Sequence, residues 1–202
     1  LGLIICCVAI TYFGNSQNLA GVDFDATMGV MDPNVSCMVD AGTMFGLDIW
    51  TNNSAGCPGD GNCGFFQNIE PMYNTFSFKN IVNLEVCLEF NFITRGCGFN
   101  TGFWIVEGDF VPSPPGSGTD PCTNNTLLTS STFGGTTTSS IVVEGCQSFS
   151  VNAHNGTQPS QACTYSFNFS PDPVLDLRCG DEPMCIEKVI IGGTPVPTMT
   201  EW

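Results

Sequence analysis

Basic residues are almost missing from this sequence: 4 Lys+Arg stand against 19 Asp+Glu in 202 residues, a formal charge of −15. A basic stripe that displaces counterions from phosphates is therefore excluded, and nucleic-acid binding with it. Electrostatic attachment to anionic membrane surfaces is disfavoured for the same reason. Nucleotide motifs are missing too: neither GxxxxGK[ST] nor a strand-led GxGxxG occurs, so no nucleotide partner is expected. Histidine is reduced to one residue, His154, which cannot complete a Cys/His zinc site. No GxSxG elbow is present, which removes one common setting for a serine nucleophile. Helix formers such as Ala, Lys and Arg are scarce, and no segment carries an apolar i, i+3, i+4 stripe over three turns.

What is abundant is cysteine, phenylalanine and glycine, at 12, 16 and 23 residues. No two cysteines stand at C-x-x-C spacing, so they read as a disulfide framework formed in an oxidising, extracytoplasmic compartment. Disorder is disfavoured by a hydrophobic fraction of 42% and an aromatic fraction of 11%.

Leu1 to Ile10 is apolar apart from one Gly. It is too short for a membrane-spanning helix and fits the apolar region of a secretory signal. Gly14 and Ser16 place small residues at −3 and −1 of a cut after Ser16, and a cut after Ala20 is an alternative. Residues 1–16 are thus expected to be a leader remnant that takes Cys6 and Cys7 away. Read as structure, the same run would be a buried strand, or a donor strand for a neighbouring subunit. Ten cysteines remain for pairing: Cys37, Cys57, Cys63, Cys87, Cys97, Cys122, Cys146, Cys163, Cys179 and Cys185. Their spacing leaves the connectivity open.

From Thr75 to Ile93, Phe76, Phe78, Val82, Leu84, Val86, Leu88, Phe90 and Phe92 occupy every even position except Asn80. Period 2 predicts strand with one buried face, broken by a turn or bulge at Lys79-Asn80. Phe149, Val151 and Ala153 alternate in the same way, as do Cys163, Tyr165, Phe167 and Phe169. Phe99–Phe110, Ile141–Val143, Ile186–Ile191 and, more weakly, Val22–Val30 are further strands. Short strands between Gly/Pro/Asn/Asp clusters predict an all-β, antiparallel, jelly-roll-like β-sandwich stabilised by disulfides. One domain over residues 17–192 is expected, with 111–119 (VPSPPGSGT) as a loop or linker and 193–202 as a tail. STFGGTTTSS, residues 131–140, reads as a flexible loop rather than a flat Thr-rich binding strand.

Chemistry-bearing constellations are weak. His154 lies among Asn152, Asn155 and Gly156 and is read as an exposed loop residue. Glu85 with Glu89, and Glu107 with Asp109, share a strand face on alternation; side chains two apart on a strand are roughly 7 Å apart. Rows of acids on a wet sheet face read as a solubilising surface, and no catalytic residue is assigned. Surplus acid could serve calcium, through Asp23, Asp25, Asp60, Asp172, Asp176 and Asp181; no other cofactor is expected. Trp50, Trp104 and Tyr73 could stack on sugars, although core packing is the commoner fate of such rings.

The last seven residues read Val196-Pro197-Thr198-Met199-Thr200-Glu201-Trp202. This segment resembles the IPTL-type carboxy-terminal sorting signal of bacterial surface proteins, whose core is Ile/Val-Pro-Thr-Leu/Met-x-Glu/Gln-Trp. In that family the core leads into a transmembrane helix and a short basic end, which this sequence does not contain. The resemblance implies export, a bacterial cell-surface or extracellular location, and the envelope sorting machinery as a partner. It covers seven residues and implies nothing about the body of the chain.

The leading expectation is a non-enzymatic, secreted or surface-attached structural or adhesive protein of the envelope, matrix or a filament. Its further partners would be other copies of itself or an extracellular glycan. The rival expectation is a carbohydrate-binding module assisted by calcium, and the third a jelly-roll glycoside hydrolase or lyase.

Overall fold

The computed structural model describes residues 18–44, 47–48, 65–67, 70–97, 101–115, 117, 124–131, 135–155, 163–170, 176–180 and 185. The leader, the sorting-like tail and the Ile186–Ile191 segment lie outside these residues. All regular structure within them is β: β1 (Phe24–Thr27), β2 (Met38–Thr43), β3 (Leu47–Asp48), β4 (Phe65–Gln67), β5 (Met72–Asn80), β6 (Val86–Arg95), β7 (Thr101–Glu107), β8 (Leu127–Ser131), β9 (Thr136–Val143), β10 (Ser148–Asn155), β11 (Thr164–Ser170) and β12 (Leu177–Cys179). Among the described residues no helix is long and apolar enough to cross a membrane.

Two antiparallel sheets carry the fold. Sheet one has the order β1-β11-β6-β9. Sheet two has β5-β10-β7-β8, with β12 and β2 both on the other side of β5; β3 and β4 pair separately. Leaving out the short β3–β4 pair and the two strands at the β5 edge, eight strands remain. The first pairs with the last (β1 with β11), the second with the seventh (β5 with β10), the third with the sixth (β6 with β9) and the fourth with the fifth (β7 with β8). This nested pairing is a long hairpin rolled into two layers, the jelly-roll arrangement.

Alternation places the phenylalanines between the layers. Phe90 and Phe92 of β6, Phe167 and Phe169 of β11, Phe76 and Phe78 of β5, Phe103 of β7 and Phe149 of β10 are all buried. Phe167 stacks on Phe24 at 4.8 Å and meets Phe76 edge-on at 4.9 Å. Each fully buried ring contributes roughly 2–3 kcal/mol of transfer free energy. Asn80, the one gap in the even series, is buried because it builds the turn. Its Nδ2 donates to the Leu84 and Glu144 carbonyls, both at 3.0 Å, and its Oδ1 accepts from the Val82 amide. The turn expected at Lys79-Asn80 therefore begins one residue later, after β5 ends at Asn80.

Two expectations are corrected. Residues 136–140 are not a loop: Thr136–Ser140 open β9, with Thr136 and Thr138 exposed and Thr137 and Ser139 buried. The Thr/Ser run hides its strand character because small hydroxyl side chains fill the inner positions, where Ser139 bonds Thr129 of β8 at 2.7 Å. Glu107 and Asp109 do not share a strand face, since β7 ends at Glu107 and the chain turns at Gly108 with φ 61°.

Candidate binding faces and the disulfide frame

Six of the ten candidate cysteines pair among the described residues: Cys37–Cys179, Cys97–Cys163 and Cys146–Cys185. Cys87 is disulfide-bonded as well. Cys57, Cys63 and Cys122 lie outside the described residues. Cys97–Cys163 locks the end of β6 to the start of β11. Cys37–Cys179 does something the spacing could not foretell. β12 pairs with residues 80 to 78 of β5, and β2 with residues 76 to 72, both antiparallel. Between them Ser77 donates its amide to the Cys37 carbonyl at 3.0 Å and accepts from the Gly180 amide at 2.9 Å. The bridge thus joins the end of β12 to the start of β2, so that two segments 142 residues apart run as one edge strand. Closing a loop of that length removes roughly 5 kcal/mol of unfolded-chain entropy in the chain-entropy account.

The outer face of sheet one is exposed and polar. Asn168 of β11 lies opposite Asn91 of β6, and Asn91 opposite Thr138 of β9. Asn168 donates to Asp23 at 2.7 Å, Asn91 donates to Asn168 at 3.3 Å, and Thr138 donates to Asn91 at 2.8 Å. These bonds form a side-chain ladder across β9, β6 and β11 that ends on Asp23, the residue before β1. The adjacent row is Asp25–Ser166–Ile93–Thr136, and the next is Thr27–Thr164–Arg95. Cross-strand polar pairs of this kind stabilise the sheet.

The outer face of sheet two is covered instead. Tyr73 of β5, His154 of β10 and Gly102 of β7 form one row; Thr75, Asn152 and Trp104 form the next. Phe110, from the segment after β7, packs on Trp104 at 5.8 Å and on Tyr73 at 6.3 Å, with Met44 in the same cluster. His154 is fully buried, its ring 4.8 Å from that of Trp104. This corrects the exposed-loop reading: β10 runs through to Asn155, so the polar neighbours are strand positions rather than a turn. Neither ring nitrogen has a hydrogen-bond partner among the described residues. Burial lowers its pKa to about 3, with the Asn152 backbone acting in the opposite direction. The imidazole is thereby kept neutral. Tyr73 donates to Asp40 at 2.7 Å; burial, then Asp40, raises its phenol far above the usual value.

The sugar-stacking platform does not form as drawn, since Trp104 and Tyr73 are buried at 3% and 5% exposure; Trp50 lies outside the described residues. Three of the six calcium candidates lie among the described residues. Asp23 holds Asn168, Asp176 pairs with Arg178 at 2.7 Å, and Asp25 lines a surface pocket. Asp60, Asp172 and Asp181 lie outside the described residues. Among the described residues no three His, Cys, Asp or Glu side chains form a group that could hold a metal. Glu85 and Glu89 are both exposed, with Glu89 on β6 and Glu85 in the turn before it.

No protein-family model matches the chain. No curated protein matches it either. Sequence reasoning did not single out Asn91 and Arg95, nor Asn168 as a contact residue, because polar residues on alternate strand positions read simply as a wet face. Only the strand order shows that they align.

Proposed function

We propose that the protein is a non-catalytic, exported bacterial module with a structural or adhesive role, and that the outer face of sheet one is its contact surface. The observation that carries this reading is the Asp23–Asn168–Asn91–Thr138 ladder, a row of carboxamide, hydroxyl and carboxylate groups that crosses β9, β6 and β11 and ends on Asp23, the residue before β1. Such a row offers both donors and acceptors in fixed positions. Hydroxylated envelope or matrix polymers can match it without opposite charge. The disulfide frame supports an oxidising destination, and the sorting-like Val196–Trp202 segment supports retention at the cell surface. The −15 charge keeps copies apart in solution and makes glycan the better-fitting partner than a second copy.

Co-sedimentation with insoluble envelope and matrix material tests the reading. The oxidised full chain is expected to sediment with that material. The variant carrying Asn91→Ala and Asn168→Ala should lose at least tenfold in affinity at unchanged Tm. Equal retention of both proteins, or of neither, would refute the contact face.

A further inference from the structure

One end of the ladder face deepens into a pocket of about 290 Å³, lined among others by Asp25, Thr27, Asp32, Arg95, Thr164 and Tyr165. Its walls come from three paired strands: Thr27 of β1 lies opposite Thr164 of β11, and Thr164 opposite Arg95 of β6. Asp32 joins from the loop after β1, its Oδ1 accepting from the Asn34 amide and side chain, both at 2.9 Å. The charged groups around this pocket are not spent on each other. Among the described residues no carboxylate lies within 4.0 Å of the Arg95 guanidinium, which makes no ion pair, and the Asp25 carboxylate has no hydrogen-bond donor. Tyr165, which alternates with Thr164, turns its ring into the core against Phe76 and Phe92 and offers the ligand no hydroxyl.

A guanidinium offers only donors, an ionised carboxylate only acceptors, and a threonine hydroxyl both. A ligand that uses all three must itself donate and accept from neighbouring atoms. Vicinal hydroxyls on a ring do this, each donating to a carboxylate while accepting from the guanidinium. An anionic ligand would meet two carboxylates around one cation, within a strongly acidic protein. A bare metal ion would meet the guanidinium. The volume suits one small ring, at the lower end of ligand pockets.

We infer that this pocket binds a single neutral sugar ring, with Asp25 and Arg95 as its principal hydrogen-bonding partners. The inference rests on the contact-face reading and names the ligand class for one end of that face. The test is a chemical-shift titration of the oxidised, 15N-labelled full chain with glucose, galactose, mannose, N-acetylglucosamine and glucuronate. At least one neutral sugar is expected to shift the Arg95 side-chain resonance and the amides of residues 25–27 and 164–165. Asp25→Asn and Arg95→Ala should each weaken that binding at least tenfold with Tm unchanged. The inference is overturned if no neutral sugar moves these resonances, if glucuronate binds best, or if both variants bind like the wild type. Co-sedimentation separates the two claims. Should the sugars fail while the Asn91→Ala, Asn168→Ala variant still loses envelope material, only the pocket is refuted. Should that variant keep the material, the contact face fails as well.

Discussion

Phe167 sits where the two layers meet, in contact with the rings of Phe24, Phe76 and Phe90 at 4.8, 4.9 and 5.3 Å. Replacing it with Ala removes a ring from a filled core, and a loss of about 3–5 kcal/mol is expected in denaturant unfolding. Phe167→Leu should cost clearly less. That position was legible in advance, because period 2 assigns it to the inner face whatever strand it pairs with. His154 was not, since the Trp104 ring that packs on it comes from β7, a neighbour that only the assembled sheet brings alongside. Its titration makes a separate prediction. The folded pKa, about 3, lies below the value of about 6.5 expected in the unfolded chain. The stability linked to neutral His154 is complete above about pH 6.5 and is lost as pH falls toward about 3, by roughly 1.4 kcal/mol per unit. Urea unfolding of His154→Gln should lack this component, so its stability should fall less from pH 7 to pH 4 than that of the wild type. Parallel profiles would contradict the burial argument.

At the scale of elements, the spliced edge strand governs how β2 and β12 are held. β12 has three residues, the short limit for a strand, and β2 has six, interrupted by a bulge between Met38 and Asp40. Exchanging Cys37 and Cys179 together for Ala is expected to cost about 2–5 kcal/mol. Amide exchange should accelerate most in Met38–Thr43 and Leu177–Cys179, while β6 and β11 keep their protection. Cys37 itself takes φ 63°, a left-handed value unusual for a residue with a side chain, and Cys146 takes 65°. Both are disulfide residues, so each bridge anchors a strained turn. Gly145, next to Cys146, has a different constraint. A Cβ there would lie 2.7 Å from the Leu84 amide nitrogen, and backbone cannot give way cheaply. Gly145→Ala should therefore destabilise by more than the few tenths of a kcal/mol usual for a surface site, read as a lower Tm. Strand positions were visible in the sequence, whereas the pairing of cysteines 142 residues apart was not. It depends on which segments reach the same edge after the chain has rolled up.

For the whole molecule, alternation and turn residues were enough to predict an antiparallel sandwich with a jelly-roll character. Strand order was beyond them, because every inner face offers the same phenylalanines to every other. The contact face was hidden for the same reason: Asp23, Asn91, Thr138 and Asn168 align only once four distant strands are neighbours. Charge acts at this scale too. With −15 spread over the chain, self-repulsion weakens the folded state at low ionic strength. Raising salt from about 10 to about 150 mM shortens the screening length from about 30 to about 8 Å and should raise Tm; an unchanged or lower Tm would place the acids in favourable local pairings instead. The outer face of sheet one as contact surface is tested most directly by carboxyl footprinting of the protein bound to envelope or matrix material. Carbodiimide labelling should fall at Asp23, Asp25 and Glu89, on or beside the outer face of sheet one, while Asp40, Glu107 and Asp109, associated with sheet two, label as in the free protein. Protection at Asp40, Glu107 and Asp109 with sheet one unprotected would contradict the assignment of the contact face.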